Sequence, residues 1–142
     1  EVMKEMNYWL DLQNFRVTLE IDETLYAIMD PEGLNQVLSN LITNAIKYSS
    51  TDRRLAILTY TKKEHAFIDV QDHGIGIAPE QLEKIFRKFY RVSDKLSSAS
   101  SGTGLGLTVS REIMAAMQGN LTVKSRPDKG STFTISLKSS KS

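Results

Sequence analysis

The sequence predicts an α+β fold, with hairpin-forming strands and helices gathered on one face. Three observations carry that expectation. Segments such as FRVTLEI (Phe15 to Ile21) alternate apolar and polar residues with the two-residue period of a half-buried strand. One stretch, LNQVLSNLITNAIKYS (Leu34 to Ser49), instead places Leu34, Val37, Leu38, Leu41, Ile42 and Ala45 on one face of a helix. Adjacent strands are joined by turns too short for parallel crossovers, so antiparallel neighbours are expected.

Taken in order, residues 1–13 place Val2, Met3, Met6, Trp9 and Leu10 near helical spacing. They read as the end of a preceding helix or a linker, giving a boundary at 1–14 and a domain over 15–138. Phe15 to Ile21 is the first strand, and Leu25 to Met29 reads as a short second one. Asp30-Pro31-Glu32 starts the central helix, with Asp as N-cap, Pro at the first helical position and an acid in the first turn. Leu55 to Thr61 and Ala66 to Asp72 form a hairpin around the charged turn KKEH. Ala78-Pro79-Glu80 opens a helix running to about Phe86. Lys88 to Gly104 is serine-rich and reads as a long, mobile loop. Leu105 to Gln118 is helical in pattern, with Gly119 as its C′ residue. Leu121 to Ser125 and Ser131 to Leu137 close the domain as a hairpin, and residues 139–142 are a frayed tail.

The bulk numbers exclude several classes. A chain of 142 residues is one domain with room for a real core. The net charge is +1, with Lys and Arg scattered along the chain, which argues against a nucleic-acid binder relying on phosphate neutralisation. With no cysteine, a disulfide scaffold and a thiolate zinc site are excluded, and an intracellular setting is compatible. No apolar run approaches the ~20 residues of a membrane span, and no signal peptide is present. The chain begins at Glu1 without a methionine, as a piece of something longer would.

Several residue groups can carry chemistry. Gln36, Asn40, Asn44 and Lys47 form a narrow stripe away from the apolar face of the central helix. Amide oxygens suit Mg²⁺, and an ammonium one turn further on suits a phosphate oxygen. A solvated stripe that happens to contain asparagine is the bland alternative. Asp72 ends a strand and is followed by Gly74 and Gly76. An ionised aspartate only accepts hydrogen bonds, so it favours the exocyclic amine of adenine over the carbonyl of guanine. An ordinary Asp–Gly turn would look the same. Gly102, Gly104 and Gly106 precede or open a helix whose free N–H groups suit a polyphosphate. They fit neither the Rossmann fingerprint nor a P-loop, and a plain flexible start to the helix remains open. Lys47, Lys88 and Arg91 are candidate phosphate contacts; Tyr48 and Tyr90 are candidate stacking or hydroxyl partners.

Four pieces occur in one order: NLITNAIKYS, DHGIGI, FRKFYR and GTGLGL, with GSTF near the end. Together they resemble the catalytic and ATP-binding domain of bacterial sensor histidine kinases. That domain belongs to the superfamily shared with gyrase, the heat-shock chaperone ATPase and the mismatch-repair ATPase. The resemblance covers about Phe15 to Leu137. It implies a two-layer α/β sandwich of Bergerat type: a mixed, mostly antiparallel sheet of about five strands with three helices on one face.

The resemblance also implies roles. Asn44 looks like the Mg²⁺ ligand, with Asn40 as a second candidate, and Lys47 like the phosphate-binding lysine. Tyr48 matches the aromatic residue beside the nucleotide. Asp72 looks like the adenine-recognising aspartate, with Gly74, Gly76 and Ile77 after it. Phe86, Phe89, Tyr90 and Arg91 match the phenylalanine box, Arg91 as a γ-phosphate contact. Gly102, Thr103, Gly104, Leu105 and Gly106 match the phosphate-side end of the ATP lid, and Thr132 a hydroxyl near the adenine aspartate. His73 stands where the family commonly has Asn, Thr or Ser.

Hydrolysing members of the superfamily usually carry a glutamate where this chain has Asn40. An amide takes no proton at neutral pH, so an autonomous ATPase is disfavoured. The implied reaction is transfer of the γ-phosphoryl of Mg-ATP to a histidine on a separate dimerisation and phosphotransfer domain of the same parent. A response-regulator receiver domain would act downstream. Neither His65 nor His73 has the context of that acceptor, and no residue here is marked as catalytic in its own right. A monomeric domain in the cytoplasm is expected, its parent anchored or not in the inner membrane. Two other readings stay open: a serine-directed anti-sigma-factor kinase of the same superfamily, and an interaction domain that has lost nucleotide binding.

Overall fold

The computed structural model of the chain describes residues 15–20, 30–82, 84–87 and 106–138. The strands are β1 (Arg16–Glu20), β2 (Arg54–Lys62), β3 (His65–Asp72), β4 (Asn120–Arg126) and β5 (Gly130–Lys138). The helices are α1 (Pro31–Lys47), α2 (Pro79–Leu82) and α3 (Gly106–Ala116). All five strands join one sheet in the order β1-β2-β3-β5-β4. The expected strand at Leu25–Met29, the loop from Lys88 and both chain ends lie outside the described residues.

The pairs β2–β3, β3–β5 and β4–β5 are antiparallel. The pair β1–β2 is parallel, with Arg16 opposite Arg54 and Glu20 opposite Leu58. It is the parallel member of the mixed, mostly antiparallel sheet that the resemblance implies, and it departs only from the reading that turn lengths make neighbouring strands antiparallel. The connection between these two strands is no turn; it contains the whole of α1, the long crossover that a parallel pair requires.

The two-residue period sorts the sheet into two faces. Leu55 and Ile57 on β2, Ala66 and Val70 on β3, Leu121 on β4, and Phe133, Ile135 and Leu137 on β5 are buried. Register stacks them in rungs: Ile57 faces Val70 and Val70 faces Phe133, while Ile68 faces Ile135 and Ile135 faces Leu121. Against them α1 buries Leu34, Val37, Leu41, Ile42 and Ala45, and α3 buries Met114. Each large side chain buried here contributes roughly 1.5–3 kcal/mol. The alternation fades along β1, where Phe15 is buried but Leu19 is 46% exposed.

The start of α1 is as the sequence implied. The Asp30 carboxylate accepts the Glu32 N–H at 3.2 Å, Pro31 is the first helical residue, and Glu32 lies near the positive end of the helix. The second helix is shorter than expected. Residues 84–87 run in turns, with Lys84 N–H to Gln81 O and Arg87 N–H to Lys84 O each 2.9 Å, and Ile85 N–H to Gln81 O at 3.2 Å. The end of α3 also differs by one residue. Gln118, not Gly119, takes the left-handed conformation, at φ 59°. Its N–H bonds Ala115 O at 3.0 Å and Gly119 N–H bonds Met114 O at 2.8 Å, the paired bonds of a Schellman cap. Gly119 is needed for space instead: a Cβ there would lie 2.6 Å from Ser136 O.

Helices α1 and α3 run antiparallel. A Cβ on Gly33, in the first turns of α1, would lie 2.9 Å from Ile113 and 3.5 Å from Met117, late in α3. Further along α1, Asn40 meets Gly106 and Ser110, early in α3. The start of α3 is thereby brought toward the half of α1 that carries Asn44 and Lys47. Among the described residues no helix is long and apolar enough to cross a membrane.

Candidate functional site

Asp72 is the last residue of β3, opposite Leu55 on β2, so it points to the helix side of the sheet with Val70 and Ala66. Its Oδ1 accepts the N–H of Gly74 at 2.9 Å and the N–H of Ser131 at 3.2 Å. Among the described residues its other oxygen takes no hydrogen bond. The carboxylate is therefore held by one oxygen and offers the other. Burial pushes its pKa above the ordinary carboxylate value; the two N–H donors and nearby His73 pull it back only in part.

Among the described residues the loop after Asp72 is fastened at four points, the first being Ser50 Oγ donating to His73 O at 3.1 Å. Ile75 N–H donates to Tyr48 O at 3.0 Å, tying the loop to the end of α1. Ile77 N–H donates to Ser125 Oγ at 2.8 Å, tying it to β4. Asp128 N–H donates to Ile75 O at 2.7 Å, tying it to the β4–β5 turn. Gly74 and Gly76 are glycine for that reason. A Cβ on Gly74 would lie 2.2 Å from Tyr48 O, and one on Gly76 would lie 1.9 Å from Arg126 O. Gly76 also has φ 75°, which side chains rarely adopt. Their work is close backbone packing that holds Asp72 in place.

Thr132 is not beside Asp72. It pairs with Gln71 on β3 and Lys124 on β4, on the sheet face away from the helices. The hydroxyl residue on the Asp72 face is Ser131, one position earlier. Its Oγ lies 2.7 Å from Ser125 Oγ, which also donates to Gly130 O at 2.8 Å. Period-two counting from Phe133 would have found Ser131, because residues 131 and 133 share a face.

Within the stripe on α1, Gln36 is exposed and Asn40 meets α3. Asn44, Lys47 and Tyr48 are half-buried, and the Lys47 ammonium lies 5.8 Å from the centroid of the Tyr48 ring. Asn44 makes no side-chain hydrogen bond among the described residues. Asn40 does: its Nδ2 donates to Ser110 Oγ at 2.9 Å and to Gly106 O at 3.3 Å. Gly106 is the first residue of α3, and a Cβ there would meet nothing within 4 Å.

Phe86 is partly buried against the core and is held by α3. Its carbonyl accepts the Thr108 hydroxyl at 2.6 Å, and the Arg111 guanidinium lies 4.0 Å from its ring centroid. Sequence reading passed over Thr108 and Arg111; their i, i+3 spacing was the available signal. Phe89, Tyr90, Arg91, Gly102, Thr103, Gly104 and Leu105 lie outside the described residues.

At one end of the sheet, the structure thus gathers an acceptor carboxylate, the hydrogen-bonded pair of Ser125 with buried Ser131, an amide-and-lysine stripe and the first turn of a helix. Among the described residues no three His, Cys, Asp or Glu side chains cluster as a metal site. An amide oxygen such as that of Asn44 suits a hard cation alongside a ligand's own oxygens and water.

A model of the family described as histidine kinase-, DNA gyrase B- and HSP90-like ATPase matches residues 29–141. The sensor histidine kinase RppB of Synechocystis is 46% identical over 113 residues, covering 80% of this chain and 25% of that protein. The chain spans less than a third of the length of the curated relatives it matches. Among solved structures, the catalytic domain of histidine kinase ThkA superposes with a TM-score of 0.82 at 26% identity, covering 96% of this chain and 88% of that one. Full-length ShkA, solved in complex with AMPPNP, shares the fold with a TM-score of 0.81 at 24% identity, covering 97% of this chain and 28% of that one.

Proposed function

Because this chain belongs to the histidine kinase-, DNA gyrase B- and HSP90-like ATPase family and matches the ATP-binding domain of sensor histidine kinases, we propose that it binds Mg-ATP and donates the γ-phosphoryl group to a histidine on a separate dimerisation and phosphotransfer domain. The phosphohistidine would then pass its phosphoryl to an aspartate of a response regulator. The observation that carries this reading is the Asp72 carboxylate. One oxygen is pinned by two backbone N–H groups and the other is left to accept from an exocyclic amine.

With adenine at Asp72 and Ser131, the phosphates would run toward Asn44, Lys47 and the first turn of α3. Asn44 is the residue suited to hold Mg²⁺: among the described residues its amide makes no hydrogen bond, and Mg²⁺ prefers oxygen ligands alongside phosphates and water. A bound ion there would neutralise charge on the phosphates. The Lys47 ammonium would offset charge on the same chain of phosphates, and the α3 N–H groups would donate to it. The bond between the γ-phosphorus and the bridging oxygen breaks, a phosphorus–nitrogen bond to the acceptor histidine forms, and ADP leaves.

One feature weighs against hydrolysis and a second against His65 as the acceptor. The residue one turn before Asn44 is Asn40, an amide that takes no proton from water. His65 opens β3 while Asp72 closes it, so the two lie about 23 Å apart along the strand. The first test is calorimetric titration with a non-hydrolysable ATP analogue, with and without Mg²⁺, beside Asp72→Ala. Metal-dependent binding lost in the variant supports the proposal; a folded wild-type chain that binds nothing overturns it.

A further inference from the structure

We propose that Ser110 is a positioning residue of the nucleotide site, bracing the phosphate end through Asn40. The inference rests on the functional reading above. Ser110 is fully buried on α3, where a hydroxyl is costly unless it is bonded. Its partner is Asn40 Nδ2 at 2.9 Å, and the same nitrogen reaches Gly106 O at 3.3 Å. A primary amide has two N–H groups. Both are committed between the middle of α1 and the first turn of α3.

Asn44 lies one turn further along α1, about 6 Å of rise. The bracket therefore fixes the first-turn N–H groups of α3 relative to the amide suited to the metal. On its other side the same turn is fastened by Thr108 Oγ1 to Phe86 O at 2.6 Å. Asn40 acts here as a strut through its side-chain nitrogen, and Ser110 sets its rotamer. The adenine end is built from β3, β4 and β5 and does not share these bonds.

The test is Ser110→Ala, with two probes: a non-hydrolysable ATP analogue with Mg²⁺, and adenosine alone. The bracing role predicts about fivefold to tenfold weaker binding of the analogue, with adenosine binding changed less than about twofold and the thermal transition still cooperative. A merely structural role would weaken both ligands together. Unchanged analogue binding, or equal loss of both, overturns the assignment. If Ser110→Ala does not fold, Ser110→Cys keeps the side chain's place but replaces the hydroxyl with a weak acceptor. The same split is then expected, and equal loss again overturns it. A wild-type chain that binds neither probe overturns the functional reading, and this assignment with it.

Discussion

The carbonyl oxygen of Tyr48 occupies the space that a side chain on Gly74 would need: a Cβ there would lie 2.2 Å from it. The contact joins the end of α1 to the loop after Asp72, and the Ile75 N–H bond to the same oxygen keeps the two backbones from separating. Gly74→Ala should therefore cost about 3 kcal/mol of stability and abolish nucleotide binding. Urea unfolding measures the first and calorimetry the second. A variant with an unchanged midpoint would mean that the loop yields more easily than its hydrogen bonds suggest.

Asp72 links pH to both stability and binding. Its raised pKa means that the folded state takes up the proton more readily than the unfolded state. The stability this contributes is full below the unfolded value of about 3.9 and is lost as pH rises through the folded pKa. At neutral pH the ligand-free protein thus carries a buried, incompletely compensated charge. Asp72→Asn should raise Tm by about 2–4 °C at pH 7, give no gain near pH 3, and lose analogue binding. In the wild type, binding of an amine donor at Asp72 should release a proton in the acid range and weaken as pH falls through its titration. Thermal scans at the two pH values, and calorimetry in buffers of different ionisation enthalpy, measure these effects.

The serine at 131 and the threonine at 132 should behave oppositely. Ser131 is buried on the Asp72 face and Thr132 lies on the other face of the sheet. Ser131→Ala removes a hydroxyl from the network around Asp72 and should weaken analogue binding by about fivefold, the worth of one hydrogen bond. Thr132→Ala should change affinity by less than about twofold. Titrations of the two variants side by side decide the order.

The β2–β3 turn offers a gain in stability away from the site. Lys63 and Glu64 both have positive φ, at 50° and 66°, as the central pair of a type I′ hairpin does. Asparagine and glycine adopt that conformation more readily than lysine and glutamate. Replacing the pair by Asn-Gly should stabilise the domain by roughly 0.5–1 kcal/mol with nucleotide affinity unchanged. The turn lies at the end of β3 opposite Asp72, so an altered affinity would contradict the placement of the site.

The sequence alone determined what depends on local order. The face of α1 is legible because 3.6-residue spacing shows directly in Leu34, Val37, Leu41, Ile42 and Ala45. Its start is legible because the Asp30-Pro31 cap is local chemistry. The strands of both hairpins are legible because their alternation and turns lie within a few residues. Asp72, Gly74 and Asn44 stood out because NLITNAIKYS and DHGIGI occur in one order with FRKFYR and GTGLGL, whereas each residue alone also fits a bland turn or surface role.

Tertiary structure decided what depends on residues far apart in the chain. The parallel pairing of β1 with β2 is set by the crossover through α1, and no local pattern in β1 distinguishes a parallel partner from an antiparallel one. The substitution of Ser131 for Thr132 beside Asp72 follows from the register of β5 against β3, since a shift of one residue moves a side chain to the other face. The bond from Asn40 to Ser110 spans 70 residues; it exists because α1 and α3 pack antiparallel on the same sheet. Propensity and spacing are properties of a segment, whereas which side chain meets which across two elements is fixed by how their buried faces fit together.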